Sequence, residues 1–179
     1  MRASGGGILG FENGLYINDG GTIQALNNSE VQFRNLATIQ DGTLDSSGSG
    51  VLRVLAGINV FFEDVTNDGN MVSDNGSDFG ISGTFTNNGN VSIQSAGAFS
   101  DLEVQAGGAT IDGGGTITLD GSFPRINGVS SSLLVIEDQT IEGRGAIGAG
   151  TISLDNQGNL IDANVDGQEL RLDLSLIHI

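Results

Sequence analysis

Short runs in which apolar and polar residues alternate recur along the chain. Clear examples are Thr22–Leu26, Val51–Leu55, Val91–Ile93 and Leu170–Leu172. Strict alternation of this kind is typical of a β-strand that buries one face. Between the runs lie Asn-Gly, Asp-Gly and Gly-Gly steps, whose residues accept the positive φ of tight turns. The pattern therefore predicts many short strands, none of which can bury its apolar side alone.

One turn-plus-strand phrase returns along the chain. Residues 66–73 read TNDGNMVS, and residues 86–93 read TNNGNVSI. A third copy at 156–162 keeps the order Asn-x-Gly-Asn followed by two apolar residues. The copies contain the turn residues to which we assign a structural role: Asn67, Gly69, Asn87, Gly89, Asn156 and Gly158. The first two copies are offset by about 20 residues, which is the lower end of the repeat periods typical of solenoid proteins.

Two architectures are built from such units. In an antiparallel sandwich each Asn-Gly step would be a hairpin turn, whereas in a solenoid one repeat makes one coil and equivalent strands stack in parallel. The return of a whole phrase at coil length favours the solenoid, because a sandwich has no reason to repeat its sequence in this way. We therefore predict an all-β fold, a right-handed single-stranded parallel β-helix of about eight coils, about 40 Å long. Asparagines in equivalent turns are expected to form hydrogen-bonded ladders between coils.

Composition narrows the function classes. The chain has 30 glycines, one proline, no cysteine and no tryptophan, which disfavours helices and excludes thiol or zinc-thiolate chemistry. A formal charge of -16, with six scattered arginines as the only basic side chains, makes nucleic acid an unexpected partner. We expect no cofactor and no insertion of this segment into a membrane, and weak calcium binding by exposed carboxylates stays an open alternative.

The last six residues, 174–179, read LSLIHI. They resemble the translation of a transposon end used in making sequencing libraries. We therefore expect residues 1–173 to form the β-helix, as a fragment of a longer protein, and residues 174–179 to be a non-native tail. On this interpretation His178, the only histidine, has no functional role.

Residues 140–172 resemble a known group of repeat-rich proteins. They contain a Gly-x-Gly-x-Ile-Gly step at 143–148, an Asn-x-Gly turn at 156–158 and a Gly-x-x-Leu strand at 167–170. These steps are similar to those of autotransporter passenger regions and filamentous-haemagglutinin-like bacterial surface proteins, whereas residues 1–60 match only in composition. The resemblance implies a secreted or cell-surface bacterial protein, associated with the outer membrane in its parent form. It implies a non-enzymatic structural or adhesive rod, whose partners would be a cell-surface glycan or protein.

The alternative is a carbohydrate-active β-helix, either a polysaccharide lyase or a glycoside hydrolase. That chemistry needs carboxylates gathered in a cleft, beside an arginine in the lyase case. Clustering of Asp101, Glu103, Asp112 and Asp120 beside an arginine would favour the enzyme, and dispersal of the four would disfavour it.

Two segments are candidates for a binding surface. Adjacent Phe61 and Phe62 cannot both face a core, so one of them is expected to lie outward or beneath a loop. The second segment is Arg125, which follows Phe123 and Pro124. Threonine-rich faces of ice-binding solenoids are a further alternative, but the threonines here are sparse and irregular.

Overall fold

The computed structural model describes residues 1–178, which form β-strands and turns with no helix. The strands in chain order are β1 (Arg2–Ala3), β2 (Ile8–Phe11), β3 (Gly14–Ile17), β4 (Thr22–Ala25), β5 (Glu30–Phe33), β6 (Ala37–Gln40), β7 (Thr43–Ser46), β8 (Val51–Val54), β9 (Asn59–Glu63), β10 (Thr66–Asn67), β11 (Asn70–Ser73), β12 (Asp78–Asn87), β13 (Asn90–Ser95), β14 (Ser100–Asp112), β15 (Thr116–Gly121), β16 (Pro124–Gly128), β17 (Ser132–Ile136), β18 (Thr140–Gly143), β19 (Gly145–Ile147), β20 (Ile152–Asn156), β21 (Leu160–Asp162), β22 (Leu170–Leu172) and β23 (Leu176–His178).

The strands stack in three faces around one interior. Face A contains β1, β4, β7, β10, the second part of β12 and of β14, β17, β20 and β23. Face B contains β2, β5, β8, β11, β13, β15, β18 and β21. Face C contains β3, β6, β9, the first part of β12 and of β14, β16, β19 and β22. The eight strands of face B correspond to the eight predicted coils.

Every pairing among the described strands is parallel. The predicted all-β parallel solenoid is therefore confirmed, and the hairpin alternative is excluded within residues 1–178. Asn67 and Asn87 mark corners at which the chain leaves face A for face B.

Equivalent residues form columns along the solenoid. Thr22 pairs with Thr43, Thr43 with Thr66, and Thr66 with Thr86, so these three coils differ only slightly in length. The next coil is longer, because Thr86 pairs with Asp112. Residues 1–60, which lack a clear repeat in sequence, thus form the same coils as the rest.

Phenylalanines form a continuous aromatic column inside the first four coils. Tyr16 packs edge-on against Phe11 with ring centroids 4.9 Å apart, and Phe11 stacks on Phe33 at 5.9 Å. The column continues from Phe33 to Phe62 at 5.1 Å and on to Phe79 at 6.0 Å. Such ring pairs contribute about 0.5–1.5 kcal/mol each beyond the area they bury. From β14 onward the hydrophobic core residues are aliphatic.

The predicted asparagine ladder lies inside the solenoid, at the corner between faces A and B. Asn67 and Asn87 are both fully buried, and Asn67 Nδ2 donates to Asn87 Oδ1 at 2.8 Å. Asn87 Nδ2 in turn donates to Gln139 Oε1 at 3.0 Å, although Gln139 is 52 residues away in sequence. Buried amides are stable only when their donors and acceptors are paired, and each amide here pairs with the next. The ladder therefore ties together three coils that are not all adjacent in sequence.

Gly69 and Gly89, the glycines of the first two copies, lie where neighbouring coils approach closely. Neither Gly69 nor Gly89 has a positive φ, so the predicted turn conformation does not hold at these two positions. A Cβ on Gly89 would overlap the carbonyl oxygen of Gly69, and a Cβ on Gly115 would overlap that of Gly89. Gly158 does have a positive φ, of 84°.

The third copy of the phrase lies one residue out of register with the other two. On face B, Leu160 lies in the same column as Asn70 and Asn90, through its pairing with Thr140. An in-register copy would have placed Asn159 there. Asn156 stays partly buried and accepts a hydrogen bond from the backbone N–H of Asn159 at 3.3 Å. Because of the shift, Asn159 rather than Asn156 reaches the neighbouring coil.

The segment expected to be a non-native tail continues the solenoid. Leu174 packs against the core, the backbone N–H of Ser175 donates to Ile152 O at 2.8 Å, and β23 pairs with β20. Ile179 lies outside the described residues. The non-native origin of residues 174–179 stays a prediction.

Candidate functional site

A groove with a volume of about 450 Å³ lies on face C, across β16, β19 and β22. Pockets for small ligands in proteins typically measure about 300–1,000 Å³. Its lining residues are Phe99, Ser122, Phe123, Pro124, Arg125, Arg144, Gly145, Ala146, Ala149, Gln168, Glu169 and Arg171. Three of the six arginines of this acidic chain are among them.

The groove exists because one coil carries small residues where its neighbours carry large ones. Arg125, Ala146 and Arg171 occupy one outward column on successive coils. Ala146 and Gly145 therefore form a floor between two long side chains. Gly145 has a φ of 125°, and a Cβ there would overlap the carbonyl oxygen of Pro124. Glycine is thus required for the close approach of the two coils at this point.

Two phenylalanines form an exposed aromatic pair at one end of the groove. Phe99 is 54% exposed and Phe123 is 48% exposed, and their ring centroids lie 5.5 Å apart. The guanidinium carbon of Arg125 lies 3.8 Å from the centroid of the Phe99 ring, which is a cation–π contact. Large apolar side chains grouped at a surface and rimmed by polar residues mark interaction sites more often than isolated ones do.

Arg125 is held in place from below by a buried carboxylate. Its Nε donates to Asp101 Oδ1 at 2.7 Å and its Nη2 donates to Asp101 Oδ2, so the pair is bidentate. Asp101 is 5% exposed and also accepts a hydrogen bond from Asn127 Nδ2 at 3.0 Å. The hydrogen bond to Asp101 raises the pKa of Arg125, which stays charged. The network fixes the guanidinium plane against Phe99.

Asp78, on the previous coil, lies close enough to this network to be affected by its charges, and it is the one acid among the described residues with a strongly shifted pKa. Burial, together with the nearby carboxylates of Asp101 and Glu103, raises the pKa of Asp78 to about 6, while Arg125 opposes the shift. Asp78 pairs in register with Asp101, so the two carboxylates occupy one outward column on adjacent coils. Glu103 accepts a hydrogen bond from Gln105 Nε2 at 2.7 Å.

Of the four acidic residues proposed as a possible catalytic cluster, the structure brings two together. Asp101 and Glu103 lie on face C beside Arg125. Asp112 lies at the end of β14 on face A, with its Oδ1 buried and unpaired, and Asp120 is exposed on face B. The four acids are therefore dispersed, which disfavours the enzyme alternative, and Asp78 instead lies near Asp101 and Glu103.

The other predicted surface, at Phe61 and Phe62, is a packing feature. Phe62 is 1% exposed and belongs to the interior aromatic column, whereas Phe61 points outward on face C. A Cβ on Gly80 would lie 2.7 Å from the Phe61 ring, so Phe61 covers the bare backbone of the next coil. Opposite orientation of the two rings agrees with the prediction from strand geometry.

Sequence reasoning missed Phe99, Arg144, Arg171 and Asp78 as parts of one site. Asp101 and Arg125 are 24 residues apart, and Asp78 precedes its register partner Asp101 by a similar spacing, which is one coil length. A search for charged or aromatic residues recurring at one coil length could have found them. The predicted turn residues lie at or next to the corners between faces A and B, so they take no part in this groove.

Within residues 1–178 no group of three or more His, Cys, Asp or Glu side chains is arranged to hold a metal ion. The described part of the chain also has no helix of the length and hydropathy needed to cross a membrane.

In comparisons with known proteins, no family model, no curated protein and no solved structure matches this chain.

Proposed function

We propose that this chain is a non-enzymatic structural or adhesive module of a secreted or cell-surface bacterial protein, and that the adhesive role is the one its surface favours. The observation that carries the proposal is the exposed pair formed by Phe99 and Phe123, fixed against Arg125 beside a groove on a rigid face. Exposing two large aromatic side chains costs solubility, and a binding role gives a reason for it. The resemblance of residues 140–172 to passenger regions of surface proteins supports the same role.

The solenoid suits a rod that presents a surface. Its coils stack in register through hydrogen bonds on three faces, and a buried amide ladder joins several of them. Rigid sites bind with a smaller loss of conformational entropy than mobile ones do. Arg125 illustrates this, because its bidentate contact with Asp101 already holds the guanidinium in place before any ligand arrives.

The test is binding of the fluorescently labelled chain to cell monolayers. We expect saturable binding that Phe99→Ser/Phe123→Ser weakens at least about tenfold, which corresponds to about 1.4 kcal/mol. The matched control is Leu15→Ser/Ile17→Ser, which removes two exposed apolar side chains from face C of the first coil. Circular dichroism establishes that all variants are folded. Unsaturable binding, or equal losses in both double variants, would contradict an adhesive role for this surface.

A second candidate function is cleavage of a polysaccharide. The observation that favours it is Asp78, whose pKa of about 6 would let the carboxyl act as a general acid in mildly acidic solution. Against it, both oxygens of the neighbouring Asp101 accept hydrogen bonds from Arg125, which leaves that carboxylate poorly placed to act as a base or nucleophile.

Incubation of the chain with acidic and neutral polysaccharides separates the two functions. Release of reducing ends, or of unsaturated products absorbing in the ultraviolet, that disappears in Asp78→Asn would establish the enzyme and overturn the non-enzymatic proposal. We expect no product from the unsubstituted chain, while Asp78→Asn binds cells as the unsubstituted chain does.

A further inference from the structure

The groove on face C combines an apolar platform with two arginines that have no close, buried ion pair. Arg125 is neutralised by its bidentate contact with Asp101. Arg144 differs, because its Nη1 donates to the neutral amide of Gln168 at 2.8 Å. Arg171 lies 3.8 Å from the Asp173 carboxylate, and both side chains are more than half exposed, so that contact is weak.

We propose that this groove binds an acidic glycan. One sugar ring packs against Phe99 and Phe123, and a carboxylate on that ring or the next is held by Arg144 and Arg171. The inference rests on the proposed adhesive function and names its ligand. Among the described residues that line the groove, Glu169 is the one carboxylate that opposes an anionic ligand.

Charge complementarity supports an anionic occupant. Three of the six arginines of a chain with a formal charge of -16 line a single groove, and Arg144 and Arg171 are the two that no buried carboxylate neutralises. Arginine presents several N–H donors in a planar fork that matches a carboxylate, so two such side chains at one groove form a suitable carboxylate site. A neutral ligand would leave these donors without a strong partner.

The shape and the aromatic pair favour a sugar over other anions. Sugar rings have an apolar face of C–H groups and a polar rim, and here the aromatic platform and the polar side chains lie at one groove. Arg125 and Arg171 are two coils apart on one column, which is about 10 Å at the usual strand spacing, so this part of the groove accommodates about two sugar rings. Duplex nucleic acid carries about one charge per 1.7 Å of its axis, more than a glycan with one carboxylate per ring, so the negative charge of the chain would repel it more strongly.

The experiment uses the full chain and defined tetrasaccharides that contain glucuronate, galacturonate or mannuronate, each beside its carboxyl-reduced counterpart. Calorimetric titration is expected to show binding of at least one acidic tetrasaccharide, weakened about tenfold or more by carboxyl reduction. Binding is also expected to weaken when the salt concentration is raised from 0.05 to 0.5 M, because the contact is ionic and partly exposed. The tenfold rise shortens the screening length about threefold.

The arginine variants locate the site. Arg144→Gln/Arg171→Gln is expected to weaken binding of the acidic tetrasaccharide about tenfold or more and to leave the affinity for its reduced counterpart unchanged. Arg2→Gln/Arg34→Gln removes the same charge outside the groove and is expected to change affinity less than about twofold. A loss limited to the acidic ligand separates carboxylate recognition from a general effect on folding.

Three outcomes would overturn the proposal. The first is that no acidic tetrasaccharide binds, and the second is that acidic and reduced forms bind equally well. The third is that polyglutamate or a single-stranded oligonucleotide binds as tightly as the acidic tetrasaccharide or more tightly, and that this binding depends on Arg144 and Arg171. If cell binding still depends on Phe99 and Phe123 in any of these cases, the glycan inference fails and the adhesive function stands. If cell binding is also absent, the proposed function itself fails.

Discussion

Substitution of Asn87 by alanine tests the buried amide ladder most directly. The side chain is fully buried, its Oδ1 accepts from Asn67 Nδ2 at 2.8 Å, and its Nδ2 donates to Gln139 Oε1 at 3.0 Å. Asn87→Ala leaves one donor on Asn67 and one acceptor on Gln139 without these partners. An orphaned buried group costs about 1–3 kcal/mol, so the two together lower the free energy of unfolding by about 2–6 kcal/mol. That is a large part of the total stability of a typical domain, about 5–15 kcal/mol.

The neighbouring residue provides a matched control. Asn88 is exposed, and its Nδ2 donates to Asp68 Oδ1 at 2.8 Å on the surface, where water replaces a lost partner. Asn88→Ala is therefore expected to change the free energy of unfolding by less than about 0.5 kcal/mol. Both variants remove the same atoms from adjacent positions, so their difference isolates burial.

Equilibrium urea unfolding followed by circular dichroism measures both effects, with the slope of free energy against urea compared between variants. The double variant Asn67→Ala/Asn87→Ala is expected to cost less than the sum of the single variants, because the orphaned donor of Asn67 is then absent. Equal stability of Asn87→Ala and Asn88→Ala, or strict additivity in the double variant, would refute the role assigned to the ladder.

Three further substitutions have expected outcomes. Gly89→Ala places a methyl group against the carbonyl of the neighbouring coil and is expected to lower the free energy of unfolding by about 1–3 kcal/mol, whereas Gly114→Ala, where a methyl meets open space, is expected to be neutral in the same urea titration. Asp78 has a pKa of about 6 when folded against a reference of 3.8, so the folded state binds the proton more tightly and stability falls as pH rises from about 4 to about 6. Asp78→Asn should remove much of that fall and melt higher than the unsubstituted chain at pH 7, with the exposed Asp120→Asn as the control for lost charge; identical melting profiles from pH 3.5 to 7.5 would contradict this. Arg125→Gln leaves a carboxylate that is 5% exposed without its ion pair and is expected to destabilise the fold by about 3–5 kcal/mol, measured as a lowered urea midpoint, and a midpoint unchanged from that of the unsubstituted chain would show that the pair is not needed.

The sequence determined the architecture because the architecture rests on local signals. Alternating apolar residues such as Leu52 and Val54 specify strands with one buried face, and the return of the Asn67 phrase at Asn87 specifies coil length. A coil that repeats its turn chemistry places equivalent asparagines one above the other, so the hydrogen bond between these two could be predicted as well. The expected eight coils follow from the same period.

Only the tertiary structure decided which residues meet across coils of unequal length. On face A the coil from Thr86 to Asp112 is longer than the coil from Thr66 to Thr86, so sequence spacing alone does not fix the partner on the next coil. For this reason Gln139 joins the ladder across 52 residues.

The groove also depends on how the unequal coil lengths align residues on successive coils. Arg125 stacks on Phe99 and pairs with Asp101, and it lies in one column with Ala146 and Arg171. This alignment depends on the number of residues in each coil between them. Gly145 and Ala146 make the floor only because larger side chains stand at the same level on the coils before and after them. Local alternation specifies that a side chain points outward, whereas its neighbours depend on the number of residues in every turn between them. The fold could therefore be predicted from the sequence, and the composition of the site could not.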